Sequence, residues 1–266
     1  MKIIQEYQYY NDKSYQIEVS SACNNSCVMC YGQRFNEHPK KFIDVSNFNR
    51  ILSVLRPTYI KLWGRGESLI HPKIESIYDT VMMINIKTSI TTNLNMKINF
   101  QKLKDLRATV FVSLHSFNPE TYKKITGSSI DLVLENIENL KQYNIPFLLK
   151  MIVSRHNESE IEEFKQNNDH YLISVIDLPK GRSDIEEELY PLDKNVLKKY
   201  GRYGYKKKKC VQPNIPLVLM DGSMYSCCMN EGYLGNVFDK SFSVNYDILN
   251  FMKKRGSDAC KTCPIC

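Results

Sequence analysis

With 266 residues, 42% of them hydrophobic and 24% charged, the chain has material for one large domain or for a barrel with a small appendage. No apolar run approaches the ~20 residues that span a bilayer, and Met1-Lys2-Ile3-Ile4-Gln5-Glu6 lacks a signal-peptide core, so a cytoplasmic protein without membrane attachment is expected. The net charge of +7 is modest, and the run Lys206-Lys207-Lys208-Lys209 is too short and too poor in interleaved aromatics to argue for nucleic acid. That run reads as a solvated loop, or as an attractor for an acidic substrate.

From Tyr15 to Pro179 short apolar runs alternate with amphipathic segments. The strand candidates are Tyr15–Val19, Thr58–Trp63, Ile86–Thr92, Thr109–His115, Pro146–Ser154 and Tyr171–Leu178. Helix candidates lie between them: Asp44 to Leu55, His71 to about Met83, Asn99–Leu106, Ile130–Tyr143 and Asn157 to about Gln166. Ile130–Tyr143 is the clearest, because Leu132, Val133, Ile137 and Leu140 recur at helical spacing. This rhythm predicts βαβ units and a parallel sheet, as an open doubly wound sheet or a partial barrel. In a parallel barrel the functional residues sit on loops after the strand ends. Those loops here carry the cysteines, Trp63–Pro72, Thr91–Leu94, Ser113–Ser116 and Pro179–Ser183.

Nine cysteines in a reducing compartment argue for metal ligation rather than a disulfide framework. Cys23, Cys27 and Cys30 follow the first strand at C-x3-C-x2-C spacing, and the other six lie between 210 and 266. Three thiolates on one tight loop suit three irons of a [4Fe–4S] cube and leave the fourth iron open. A zinc knuckle completed by a fourth ligand is the alternative, and His38 is the nearest candidate.

The cysteine spacing resembles the signature of the radical S-adenosylmethionine (SAM) enzymes, a resemblance that implies a partial (β/α)6 TIM-type barrel over residues 1–185. Gly64-Arg65-Gly66-Glu67 then resembles the family's glycine-glycine-glutamate motif, which lies against the amino group of SAM. Arg65 stands where that motif has a glycine, and Ser68 where proline is usual. The resemblance further implies SAM contacts from Met29, Gly66, Glu67, Asn93, Ser113 and His115, with Arg182 for the SAM carboxylate or an anionic substrate. For His115 the resemblance competes with a plain buried histidine, and for Arg182 with a surface arginine.

After an expected linker at 186–209, residues 210–266 change character. Asp221-Gly222 signals a hairpin between Pro216–Met220 and Ser223–Ser226, and a helix candidate runs from Asn245 to about Lys254. Cys210, Gly222 and Cys227 resemble the pattern of the twitch domain, the shortened form of the SPASM extension. That likeness implies a second, auxiliary [4Fe–4S] cluster on Cys210, Cys227, Cys260 and Cys263, with Cys228 spare and Cys266 able to replace Cys263. A four-cysteine zinc ribbon is the alternative.

The resemblance implies reductive cleavage of SAM, by an electron from a flavodoxin or ferredoxin, to a 5′-deoxyadenosyl radical that takes a hydrogen atom from the substrate. The auxiliary cluster would accept an electron and make the enzyme a dehydrogenase-type oxidoreductase. Only 22 residues precede Cys23, so no leader-binding domain is expected there, which favours a small sugar- or alcohol-like substrate, with an anionic one among the options. Maturation or epimerisation of a ribosomally made peptide is the second expectation. A non-catalytic iron–sulfur or zinc protein is the third.

Overall fold

A computed structural model describes residues 13–30, 41–175, 188–200, 214–227 and 232–253. Six strands form the parallel sheet that the alternation calls for: β1 (Ser14–Ile17), β2 (Tyr59–Leu62), β3 (Lys87–Thr92), β4 (Thr109–Ser113), β5 (Phe147–Val153) and β6 (Tyr171–Val175). They lie in chain order, each parallel to the next. Successive side chains on a strand point to opposite faces. One face carries Ile17, Ile60, Leu62, Ile90, Val110, Val112, Leu149, Met151 and Val153 into the core beneath the helices. The other carries Gln16, Tyr59, Lys61, Ser89, Phe111 and Lys150, and this is the interior of a partial TIM-type barrel.

The helices cover the outer face. In α1 (Val45–Leu55) the buried residues are Phe48, Ile51, Leu52 and Leu55, one stripe at helical spacing. The next two are α2 (Ile74–Met83) and α3 (Phe100–Asp105), the latter capped by Asn99, whose side chain accepts from the Lys102 N–H. After β4 come α4 (Pro119–Thr126) and α5 (Asp131–Gln142), and α6 (Ile161–Gln166) precedes β6.

Two helices were not expected. One is α4, although its signals stand in the sequence: Asn118 accepts from the Glu120 and Thr121 N–H groups, Pro119 starts the helix, and Gly127 ends it at φ 73°. The other is α7 (Lys194–Tyr200), inside the segment read as linker. Nearby Leu189 is 1% exposed and its carbonyl accepts from the Arg155 N–H at 2.8 Å, so this part of 186–209 is packed structure.

The C-terminal hairpin continues the barrel sheet. Strand β7 (Leu217–Val218) runs parallel to β1, with Gln16 level with Leu217, and β8 (Ser223–Tyr225) and β9 (Tyr233–Asn236) follow antiparallel. The Gln16 side chain fastens the junction by donating to the Ile215 carbonyl at 2.8 Å. Gly222 turns the hairpin at φ 82°, where a side chain would meet Asn236 and the Phe238 ring at 2.6 Å. The last helix among the described residues, α8 (Tyr246–Lys253), buries Leu249 and Met252. Among the described residues no helix is long and apolar enough to cross a membrane.

Candidate active site at the barrel rim

The cysteine loop leaves β1 and is held from three sides. Ser21 N–H donates to the Lys41 carbonyl, and Ser26 and Val28 N–H donate to the Thr126 and Ile125 carbonyls, each of the latter pair at 2.9 Å. Those carbonyls belong to the last turn of α4, where a helix leaves acceptors unused. Gly127 is needed at that seam, because a Cβ there would lie 2.1 Å from Ser26 Oγ.

All three thiols are half-buried. Burial raises the Cys23 pKa, and it pushes Cys27 up to about 12, with Cys30 and Cys23 adding to the rise and Asn25 opposing it. The neighbouring thiols thus sit close enough to disfavour ionisation of Cys23 and Cys27. Among the described residues no three such side chains are already drawn around a common metal position. Three thiolates gather only when a cation offsets their repulsion, and binding then displaces protons. The donor set nevertheless suits an iron–sulfur cluster: three thiols on one docked loop, with Asn25 Nδ2 and Tyr122 Oη buried beside them without hydrogen-bond partners.

The loop after β2 packs straight onto the cysteine loop. Gly66 has no room for a side chain, since a Cβ would lie 2.2 Å from the Ala22 carbonyl oxygen. Glu67 N–H donates to that same oxygen at 2.8 Å. The Glu67 carboxylate is buried, with Oε1 accepting from Leu69 N–H at 2.9 Å and Oε2 from Asn93 N–H at 2.6 Å. Desolvation nonetheless raises its pKa to about 7. On the loop's other flank Arg65 grips Glu18 with Nε at 2.7 Å and Nη2 at 2.6 Å. His71 anchors the loop's end, its Nδ1 accepting from Lys73 N–H and its Nε2 donating to the Ile43 carbonyl.

Asn93 follows β3 and joins these parts. Its Nδ2 donates to Asn24 Oδ1 at 2.8 Å and approaches the Cys23 sulfur at 3.7 Å. Met29 packs partly buried against the core. Ser113 ends β4, level with Lys150 on β5. His115 is buried, accepts the Ile152 N–H at Nδ1, and is lowered to about pKa 4 by burial, with Lys150 adding to the shift. It is therefore a neutral bracing imidazole in this arrangement. Gly66, Glu67 and Asn93 thus meet the cysteine loop, and Ser113 and His115 occupy the neighbouring strand end. Arg182, Cys210, Cys228, Cys260, Cys263, Cys266, His38 and the lysine run lie outside the described residues.

Cys227 is half-buried. Tyr225 is level with Leu217, and Leu217 with Gln16. Cys227 follows two residues after the end of β8, the strand that leads away from the Gly222 turn.

Five site residues escaped the sequence reading. Glu18, Lys61 and Lys150 are charges at alternate strand positions, and in a sheet covered on its outer face that alternation signals the barrel interior. Asn25 and Tyr122 carried no comparable signal, because their importance rests on burial beside Cys27.

Residues 17–167, more than half of the chain, match the Radical SAM superfamily. The chain belongs to the radical SAM superfamily. A probable GTP 3′,8-cyclase of Thermococcus kodakarensis is 35% identical over 161 residues, 55% of this chain and 50% of the cyclase, so the chain spans about half the length of that relative. An uncharacterized protein of Methanocaldococcus jannaschii is 28% identical over 85% of this chain and 88% of its own length. Among solved structures, SuiB of Streptococcus suis bound to S-adenosylmethionine superposes with a TM-score of 0.66 at 14% identity, covering 91% of this chain and 65% of SuiB. At that identity the likeness is one of fold. The matched segment contains Cys23, Cys27, Cys30, Gly66 and Glu67.

Proposed function

We propose that this radical SAM enzyme is an oxidoreductase acting on a small, anionic, sugar- or alcohol-like substrate held inside the barrel below the rim. Lys61 carries the proposal. It is 7% exposed on the interior face of β2, yet its ammonium lies 5.5 Å from the Phe111 ring centre and 5.9 Å from that of Trp63. The lysine stem therefore lifts a positive charge from mid-strand toward Trp63, the residue that opens the glycine loop. Lys150 on β5 puts a second ammonium on the same face, next to Ser113 in register. A buried ammonium between two rings attracts an anionic group far more strongly than one in water. The substrate named for the T. kodakarensis relative, a nucleoside triphosphate, is anionic as well.

Cys23, Cys27 and Cys30 would hold the cluster, with SAM against Met29, Gly66, Glu67, Asn93, Ser113, His115 and Arg182. Together these groups supply the hydrogen-abstracting radical chemistry of the superfamily when bound. The chain's own part is positional. Gly66 brings bare backbone to the ligand side of the cysteine loop, two N–H donors fix the Glu67 carboxylate, and the barrel wall keeps water from the reacting carbon. The reading that Cys210, Cys227, Cys260 and Cys263 form an auxiliary [4Fe–4S] site making the reaction a net oxidation is supported by the cysteine spacing and the Gly222 hairpin, and a flavodoxin or ferredoxin would supply the electron for SAM cleavage.

The test uses anaerobically reconstituted protein with SAM and dithionite, offered a hexose phosphate, GTP or a neutral hexose in turn. An anionic probe should raise 5′-deoxyadenosine formation above the neutral one, and Lys61→Met should raise its half-saturating concentration at least ~10-fold, the loss of about one charged contact. Equal response of both proteins to every probe overturns the anionic assignment. About eight irons per chain supports the auxiliary site, and about four removes it.

A further inference from the structure

Asn25 lies in the cysteine loop, two residues before Cys27, and its side chain is 4% exposed. The two ends of its amide have different fates. Oδ1 accepts from Ser128 Oγ at 2.9 Å and from Asn95 Nδ2 at 3.0 Å. Nδ2 is buried and has no hydrogen-bond partner of good geometry among the described residues, and the same holds for the hydroxyl of Tyr122 on α4. In this orientation the two amides meet donor to acceptor, with Asn95 Nδ2 facing Asn25 Oδ1. Both groups lie beside Cys27 and beside each other: Asn25 is two residues before it, and the N–H groups of Ser26 and Val28, which flank Cys27, donate to the Thr126 and Ile125 carbonyls one turn after Tyr122.

Buried donors in folded proteins find acceptors, and an unmet pair needs an explanation. A neutral thiol accepts weakly, whereas an iron-bound thiolate carries the negative charge that such donors seek. We propose that Asn25 Nδ2 and Tyr122 Oη donate hydrogen bonds to the Cys27 thiolate of the loaded cluster and set its reduction potential. Reduction adds one electron to the centre, so donors aimed at its sulfur stabilise the reduced state more than the oxidised one. Removing either donor therefore lowers the midpoint. The inference rests on Cys23, Cys27 and Cys30 being the cluster ligands, and Asn25 and Tyr122 act as positioning residues.

The test is a potentiometric titration followed by EPR on reconstituted wild type, Asn25→Ala, Asn25→Asp and Tyr122→Phe. The signal that changes on adding SAM identifies this cluster. Asn25→Ala should lower the midpoint by about tenfold in the reduction equilibrium, ~59 mV for one electron. Asn25→Asp, which keeps the Oδ1 frame but turns the donor into an acceptor, should lower it further, and Tyr122→Phe less, all with iron content unchanged. Loaded variants with wild-type midpoints would mean that water takes these donors, and would overturn the inference. Should the Asn25 variants take up no iron, Tyr122→Phe decides by the same criterion, since it removes one oxygen. A wild type that takes up no iron would instead sink the ligand assignment beneath the inference.

Discussion

The glycine loop after β2 buries a carboxylate on each flank, and the two are held in different ways. Glu18, 0% exposed, receives a guanidinium fork and the Arg65 N–H, so its charge is matched by an opposite charge. Glu67, 3% exposed, receives two backbone N–H groups with the Thr92 side chain beside them, and no cation among the contacts described, so burial drives its pKa up to about 7. The glycines differ in the same sense. A Cβ on Gly64 would strike the Glu18 side chain at 2.5 Å, while one on Gly66 would strike main-chain atoms of Ser20, Ser21 and Ala22. The Arg65 flank is thus complete in charge and ties the loop to β1. The Glu67 flank is short of charge, has no slack, and faces the cysteines. The flank that the proposed site turns toward SAM is the one left electrostatically open.

The largest way to break this comparison is Gly66→Ala. Main-chain atoms at 2.2 and 2.6 Å cannot rotate away, so the cysteine loop must lift. A loss of about 4 kcal/mol or more is expected in urea unfolding, with faster thiol modification of the loop. Gly64→Ala should cost about half that, because the Glu18 chain can rearrange. Equal losses would show that both flanks are equally rigid.

Arg65→Ala comes next. It strands the buried Glu18 carboxylate and should cost about 3 kcal/mol, while Arg65→Lys should recover only part, since an ammonium cannot span both oxygens. A loss under about 1 kcal/mol would mean that Glu18 is rescued by water, and the two flanks would then differ little.

The sheet was legible in the sequence because β-strand alternation is local: every strand centre in 14–175 falls where the apolar runs place it. Helices α4 and α7 were harder. In α4 only Tyr122 and Ile125 supply a buried apolar stripe, so its cap residues had to carry a signal that periodicity did not. The site was legible as far as its chemistry is tied to spacing, which covers Cys23, Cys27, Cys30, Gly66 and Glu67. Lys61, Asn25 and Tyr122 owe their place to register and burial across the barrel, and no local pattern records that. Nor did the sequence foretell that Arg65, standing where its motif has a glycine, would turn away to pair with Glu18.

The finest test separates the flanks by pH. Glu67 is raised from an ordinary 4.5 to about 7 in the folded chain, so the folded state binds more protons across that window. Its stabilising contribution is therefore full below about pH 4.5 and is lost as pH rises through 7, at about 1 kcal/mol per pH unit. His115 runs the other way: lowered to about 4, it costs stability as pH falls from 6.5 through 4. The two trends oppose each other in the wild type. Glu67→Gln removes only the first, and it costs about 1 kcal/mol at pH 7 because one backbone N–H loses its acceptor. The gap between wild type and Glu67→Gln in urea unfolding should widen from pH 7 to pH 5, with His115 cancelling from the difference. Parallel curves would mean that the two N–H donors and the Thr92 side chain keep Glu67 ionised, so that neutral donors serve this flank as fully as the guanidinium serves the other.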